Sequence, residues 1–263
     1  MSTDRTTPTA LLRHLAVSLA FVLAMVGTAI GVGAFGGVSI SEAAGGLLSA
    51  DATHLAPAGS AFSIWSLIYL GLGAYALWQW WDADDERRIA GHAIASLLLN
   101  AAWILVVQAG WVWLSVLVIL ALLAVLADLF RRLAARPARG LLEKVVVDGT
   151  FGVYLGWVSV ATCANVAAAL FGAGFTGFGV PALFAVLVLA VVAVIGIALI
   201  VAGRHPIAAP LAMIWGLGWI AVGRWTDAPS SPVTAVAAVV AAVLIALAAI
   251  TAQARRAQRG EPR

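Results

Sequence analysis

The sequence predicts an all-α integral membrane protein with eight transmembrane helices and both termini in the cytoplasm. Three observations predict it. Hydrophobic residues make up 63% of the chain and charged residues only 10%, with a mean hydropathy of +1.04, whereas soluble domains carry about 25% charged residues. Apolar runs recur along the whole chain at the roughly 18 or more residues that mark a membrane span. The basic residues partition to one side of those runs.

The runs lie at about 15–35, 61–81, 89–109, 111–130, 145–171, 181–203, 206–222 and 232–252. Arg5 and Arg13 precede the first run, as they would in a signal peptide. Its apolar stretch is longer than an h-region of about 7–15 residues, so it reads as a retained helix. The seventh run is short and contains Pro210 with Gly216 and Gly218, the composition of a broken helix.

Positive charge orients the bundle. With the N-terminus inside and eight alternating crossings, Arg5, Arg13, Arg87, Arg88, Arg131, Arg132, Arg136, Arg139, Lys144, Arg204, Arg255, Arg256, Arg259 and Arg263 all fall in the cytoplasm, and Arg224 alone falls outside. Seven crossings would put the last four arginines outside. The connection 82–88 (DADDERR) reads as a solvated inner turn. The outer segment at about 36–60 has no Lys or Arg, and a loop of that length is often functional. Residues 253–263 read as a basic, disordered cytoplasmic tail near anionic headgroups.

Several chemistries are excluded or disfavoured. The single cysteine, Cys163, sits in an apolar run, which rules out an intrachain disulfide and argues against a thiolate metal site. His14, His54, His92 and His205 fall at or beyond span ends without metal-ligand spacing, so no metal site is expected. Lys144 lies at the inner edge, which excludes a retinal Schiff base. The pI near 9.6 does not imply nucleic acid, because the basic residues act as topology signals. Arginine outnumbers lysine fourteen to one, and alanine, valine and glycine abound, a bias that suits a high-GC bacterial genome; the expected location is the bacterial inner membrane. Asp128 and Asp148 sit near inner helix ends and are expected to pair with Arg131, Arg132 or Lys144. Gly27 and Gly31, then Gly33 and Gly37, give small-xxx-small spacings apt for close helix packing or a dimer seam.

The tryptophans divide into two sets. Trp78, Trp80, Trp81, Trp111, Trp113 and Trp225 fall at span ends, where an interfacial belt accounts for them. Trp65 lies about 6 Å inside its span by helix rise, with Phe62 and Tyr69 on the same face. The third run contains Asn100 and Trp103, and the fifth contains Tyr154, Trp157, Ala161 and Asn165 at steps of three, four and four, one helical face. All could line one aromatic, polar-edged pocket in the outer half of the bilayer. Interhelical bonding by asparagine and plain packing by tryptophan account for the same spacing. Trp215 and Trp219, an i,i+4 pair, read as packing.

At these residues the chain resembles the TspO/MBR family of tryptophan-rich sensory or translocator proteins. Pro57, Phe62, Trp65 and Tyr69 match the proline and F-x-x-x-W-x-x-x-Y pattern, with Phe62 one place closer to the tryptophan. Leu99, Asn100 and Trp103 match L-N-x-x-W, and Tyr154, Trp157, Val158, Ser159, Ala161 and Asn165 match P-Y-x-x-W-V-S-x-A-x-x-x-N, with Val153 in place of the proline. Segment 36–60 lacks the family's loop tryptophans and lysine. The resemblance implies a TspO-like five-helix bundle over residues 1–171, with about three additional transmembrane helices over 172–252 and a tail at 253–263. It further implies a homodimer and a pocket for porphyrin, haem or a similar hydrophobic ligand, lined by Phe62, Trp65, Tyr69, Asn100, Trp103, Tyr154, Trp157, Ala161 and Asn165. No bound cofactor is expected and no catalytic residue is assigned. A ligand receptor or sensor leads, with a transporter of a small amphipathic molecule and a light-dependent porphyrin-degrading enzyme as rivals.

Overall fold

The computed structural model describes residues 8–34, 38–82, 85–202 and 207–259. Arg5, Gly37, Arg204, His205 and Arg263 lie outside them, as do two residues of the DADDERR turn. Among the described residues there are eight long helices: α1 (Pro8–Gly31), α2 (Ile64–Trp78), α3 (Ala90–Gln108), α4 (Val112–Ala135), α5 (Leu141–Gly172), α6 (Pro181–Ala202), α7 (Ala208–Thr226) and α8 (Pro232–Gln258). Prolines open α1, α6 and α8, at the position where a missing N–H costs nothing. Ser231 caps α8 by accepting from the Thr234 amide at 3.3 Å. Segment 38–63 is partly ordered into two short 3-10 turns, Ala43–Gly46 and Gly59–Ser63.

All but α7 are long and apolar enough to cross a membrane, α2 when taken with its entry turn as Gly59–Trp78. At 19 residues α7 is as long as α3; its glycines, tryptophans and Arg224 lower its hydropathy. It is one unbroken helix despite Pro210, Gly216 and Gly218, so the expected broken element is not present. Helix α8 runs on to Gln258, through half of the segment expected to be a disordered tail.

Five helices close into a ring: α1 packs on α2 and α3, α3 on α4, α4 on α5, and α5 returns to α2. One core fills this ring, with Ile68, Leu72, Leu97, Leu122, Phe151 and Leu155 at its centre. Helix α7 lies on the outer side of α5, α8 packs on α7, and α6 on α8. A second core joins these three helices to Val160 of α5 and Leu55 of the long connection. The α5–α7 approach depends on glycine: a Cβ on Gly156 would lie 2.1 Å from the Ala209 carbonyl oxygen. Gly27 and Gly31 are used inside the chain, against Ala101 and Ile104 of α3, and so form a packing seam.

Leucines and valines such as Leu70, Leu117, Val194 and Val201 stand exposed on the helix flanks, as expected where the solvent is lipid. Ion pairs collect at one end of the bundle. Arg87 is buried and bridges Glu143 at 3.3 Å and Asp148 at 2.6 Å. A π-helical turn at Lys144–Gly149 carries Asp148, which pairs with Arg87 and not with Lys144. Asp128 pairs with Arg132 at 2.8 Å, as expected, and also with His92 at 2.8 Å. The connections 38–63, 109–111, 173–180 and 227–231 lie at the other end.

Candidate functional site

The turn Gly59–Ser63 sets Phe62 at the entry to α2, and helical spacing then brings Trp65 and Tyr69 onto one face. Their rings stack at 5.3 Å with 22° between planes. Tyr154 and Trp157 of α5 meet Trp65 edge-on at 5.9 and 6.4 Å. Phe62 closes the set against Trp157 at 5.7 Å. Gly71 allows this meeting of α2 and α5, since a Cβ there would lie 2.4 Å from the Thr150 hydroxyl. Edge-to-face pairs at these separations each contribute about 0.5–1.5 kcal/mol beyond their area.

Hydrogen bonds fix most of the polar edges. The Asn100 amide donates to the Tyr69 hydroxyl at 2.9 Å, and the Tyr154 hydroxyl donates to the Ser96 carbonyl at 3.2 Å. Trp157 is a buried exception. It is 1% exposed, and its indole N–H has no acceptor. Phe62, by contrast, is 37% exposed, so the group runs from a buried floor to an accessible rim.

Trp103 and Asn165 form a separate group. The Trp103 indole donates to Asn165 Oδ1 at 2.7 Å, and the Asn165 amide donates to the Ser115 hydroxyl at 2.9 Å. These bonds tie α3, α4 and α5 together. Ala161 sits half-buried between the two levels and packs on the ring core. Tyr154 and Asn165 share a face of α5, but over the three turns between them that face passes from α2 to the α3–α4 seam. The nine residues singled out in the sequence thus divide: Phe62, Trp65, Tyr69, Tyr154 and Trp157 make one ring group with Asn100 bound to it, Trp103 with Asn165 makes an interhelical clamp, and Ala161 lies between the two.

Three further features escape a reading by aromatic spacing. Ser96 and Ser115 supply acceptors within apolar runs that give no warning of them. Helix α7 holds the entry turn: the Trp215 indole donates to the Ala61 carbonyl at 2.9 Å, and the Ala58 amide donates to the Trp219 carbonyl at 3.1 Å. Arg224 is 0% exposed. Its one signal in the sequence is that it breaks the charge partition.

A polar cleft of about 740 Å³ opens at the opposite, charged end, lined by Arg13, Arg87, Arg136 and Arg139 among others. Its acids are committed locally: Glu143 to Arg87 and Arg139, Glu86 to Arg139, and Asp85 to the first amides of α3. Burial raises the Asp82 carboxyl above its ordinary value, and Arg139, 2.9 Å away, offsets part of that rise. Among the described residues no cluster of three or more His, Cys, Asp or Glu could hold a metal ion.

The family model for TSPO-like protein matches residues 13–251. The chain belongs to the TSPO-like family. The match runs through α6, α7 and α8, beyond the 1–171 stretch that carries the recognisable motifs, so the three later helices are part of what the family model describes. Family and apolar helices together make this a multi-pass membrane protein. No curated protein and no solved structure matches the chain significantly.

Proposed function

We propose that the chain is a membrane receptor for a flat, amphipathic ligand of the tetrapyrrole class, bound against Phe62, Trp65, Tyr69, Tyr154 and Trp157. The observation that supports this reading is the Trp157 indole, buried among aromatic rings with its N–H unpaired. Buried tryptophan N–H groups usually find a partner, and one left without an acceptor costs about 1–3 kcal/mol. A ligand oxygen or nitrogen would supply that acceptor. The aromatic walls suit a planar macrocycle, and Tyr69 and Asn100 give it an orienting polar edge.

The helices are read as inserted with both termini in the cytoplasm of a bacterial inner membrane, the charged end inward. The ligand group then lies in the outer half of the bilayer, and Phe62 is its way in. Trp103 and Asn165 support the site from behind by holding α5 in place.

The test is quenching of tryptophan fluorescence in the detergent-purified protein by protoporphyrin IX, with Trp65→Phe and Trp157→Phe alongside. Saturable quenching that weakens in both variants is the expected result. Equal affinity in folded variants would move the ligand elsewhere, and no saturable quenching would remove the tetrapyrrole.

A further inference from the structure

We propose that Arg224, Thr53 and His54 form an anion subsite that takes a carboxylate of the bound ligand; this rests on the reading of the aromatic group as the ligand site. Arg224 is wholly buried, yet among the described residues no carboxylate lies within ion-pair distance of it. Its Nη1 donates to the Pro229 carbonyl at 3.1 Å and its Nη2 to the Ala50 carbonyl at 2.6 Å. Two of the guanidinium's five donors are thereby used, and Nε finds no acceptor.

Thr53 Oγ1 and His54 Nδ1 are also buried without a partner. Thr53 and His54 follow closely along the chain from Ala50, whose carbonyl Arg224 holds; buried polar atoms left without partners call for an ion or water, and a buried guanidinium with no paired carboxylate is disfavoured. Arginine only donates, while threonine and histidine can donate as well, so the common complement is an acceptor bearing negative charge. Burial and the neighbouring Arg224 hold His54 below the usual imidazole range, which leaves one positive charge. A monoanion such as a carboxylate balances it. The two carboxylates that act on Arg224, Asp227 and then Asp51, are both exposed and neither forms an ion pair with it; Asp51 is hydrogen-bonded to Ser49 at 2.5 Å.

The chain itself connects this place to the aromatic group. From His54 it runs through Ala58, held by Trp219, and Ala61, held by Trp215, to Phe62 on Trp157. Along α7, Arg224 stands about 13 Å from Trp215 by helix rise. A ring system seated on Phe62 and Trp157 would carry its acidic side arm along this path toward Arg224.

The experiment compares binding of protoporphyrin IX and its dimethyl ester to the full-length protein in detergent. The wild type should prefer the free acid by tenfold or more, and Arg224→Gln should erase the preference while leaving ester affinity unchanged. Should that variant fail to fold, the double variant Thr53→Val, His54→Gln should still narrow the preference; an undiminished preference in it overturns the subsite. Equal binding of acid and ester by the wild type also overturns the subsite and leaves the receptor reading standing. Binding of neither porphyrin overturns both. Equal porphyrin binding with a formate-dependent change in fluorescence, lost in Arg224→Gln, would make the occupant a free small anion and overturn the ligand carboxylate.

Discussion

Trp157 illustrates how one atom separates a binding face from a packing face. The Tyr69 and Tyr154 hydroxyls near it are hydrogen-bonded within the protein. Trp157→Phe removes an unsatisfied donor, worth about 1–3 kcal/mol, together with the fused five-membered ring, whose cavity cost opposes that gain, so thermal stability of the ligand-free protein should change little. Asn165→Leu should behave differently. It breaks the bonds to Trp103 and Ser115, and bonds of that kind within membranes contribute about 0.6–1.7 kcal/mol. Its melting temperature in detergent should fall while the acid and ester affinities change little. His54 adds a pH dependence. Its folded-state pKa is lowered by burial and then by Arg224, so its contribution to loop docking is full above the ordinary histidine value of about 6.5. That contribution is lost as pH falls through the lower folded value. Hydrogen exchange across 38–58 should accelerate on acidification, and His54→Gln should flatten the response.

At the scale of elements, the helix pairs were more legible than their junctions. Hydropathy locates all eight helices to within several residues, because lipid-facing flanks keep Leu70 or Val194 apolar whatever the interior does. The π turn in α5 is invisible to hydropathy, and so is the pairing with Arg87 of Asp148, which lies in that turn. Periodicity puts Tyr154, Trp157, Ala161 and Asn165 on one face correctly. It cannot show that this face meets α2 at one level and α3 and α4 at another. The α5–α7 contact is likewise a matter of absent atoms, since Gly152 and Gly156 carry no signal of what approaches them. Gly156→Leu should force α7 away from α5. Overpacking of this sort costs about 1–3 kcal/mol, and here it should also loosen the 58–62 turn that Trp215 and Trp219 hold. Thermal unfolding together with protease sensitivity of that turn reads both effects.

For the whole molecule, the five-helix ring and the α6–α8 layer share a wall. Val160, Gly152 and Gly156 face α7, and Ala58 and Ala61 are held by it. The motifs suggested a bundle complete at residue 171, because the recognisable aromatics end there. The later helices carry small residues whose role appears only in contact. A chain ending at residue 172 should therefore fail to yield a stable, monodisperse protein in detergent; a folded fragment with normal melting would show that the ring stands alone. The charged end is the other whole-molecule device. Buried Arg87 joins the start of α3 to α5 through Glu143 and Asp148, and loss of one partner of a buried pair costs about 3–5 kcal/mol.

The central claim is that a ligand satisfies the Trp157 N–H. The most direct measurement is the indole N–H spectrum of the ¹⁵N-tryptophan-labelled protein, with and without protoporphyrin IX. Trp157→Phe identifies its resonance among the eleven tryptophans. A downfield shift of that resonance on saturation, as expected when an N–H gains an acceptor, is the predicted result. Saturable binding that leaves the Trp157 resonance in place would contradict the account.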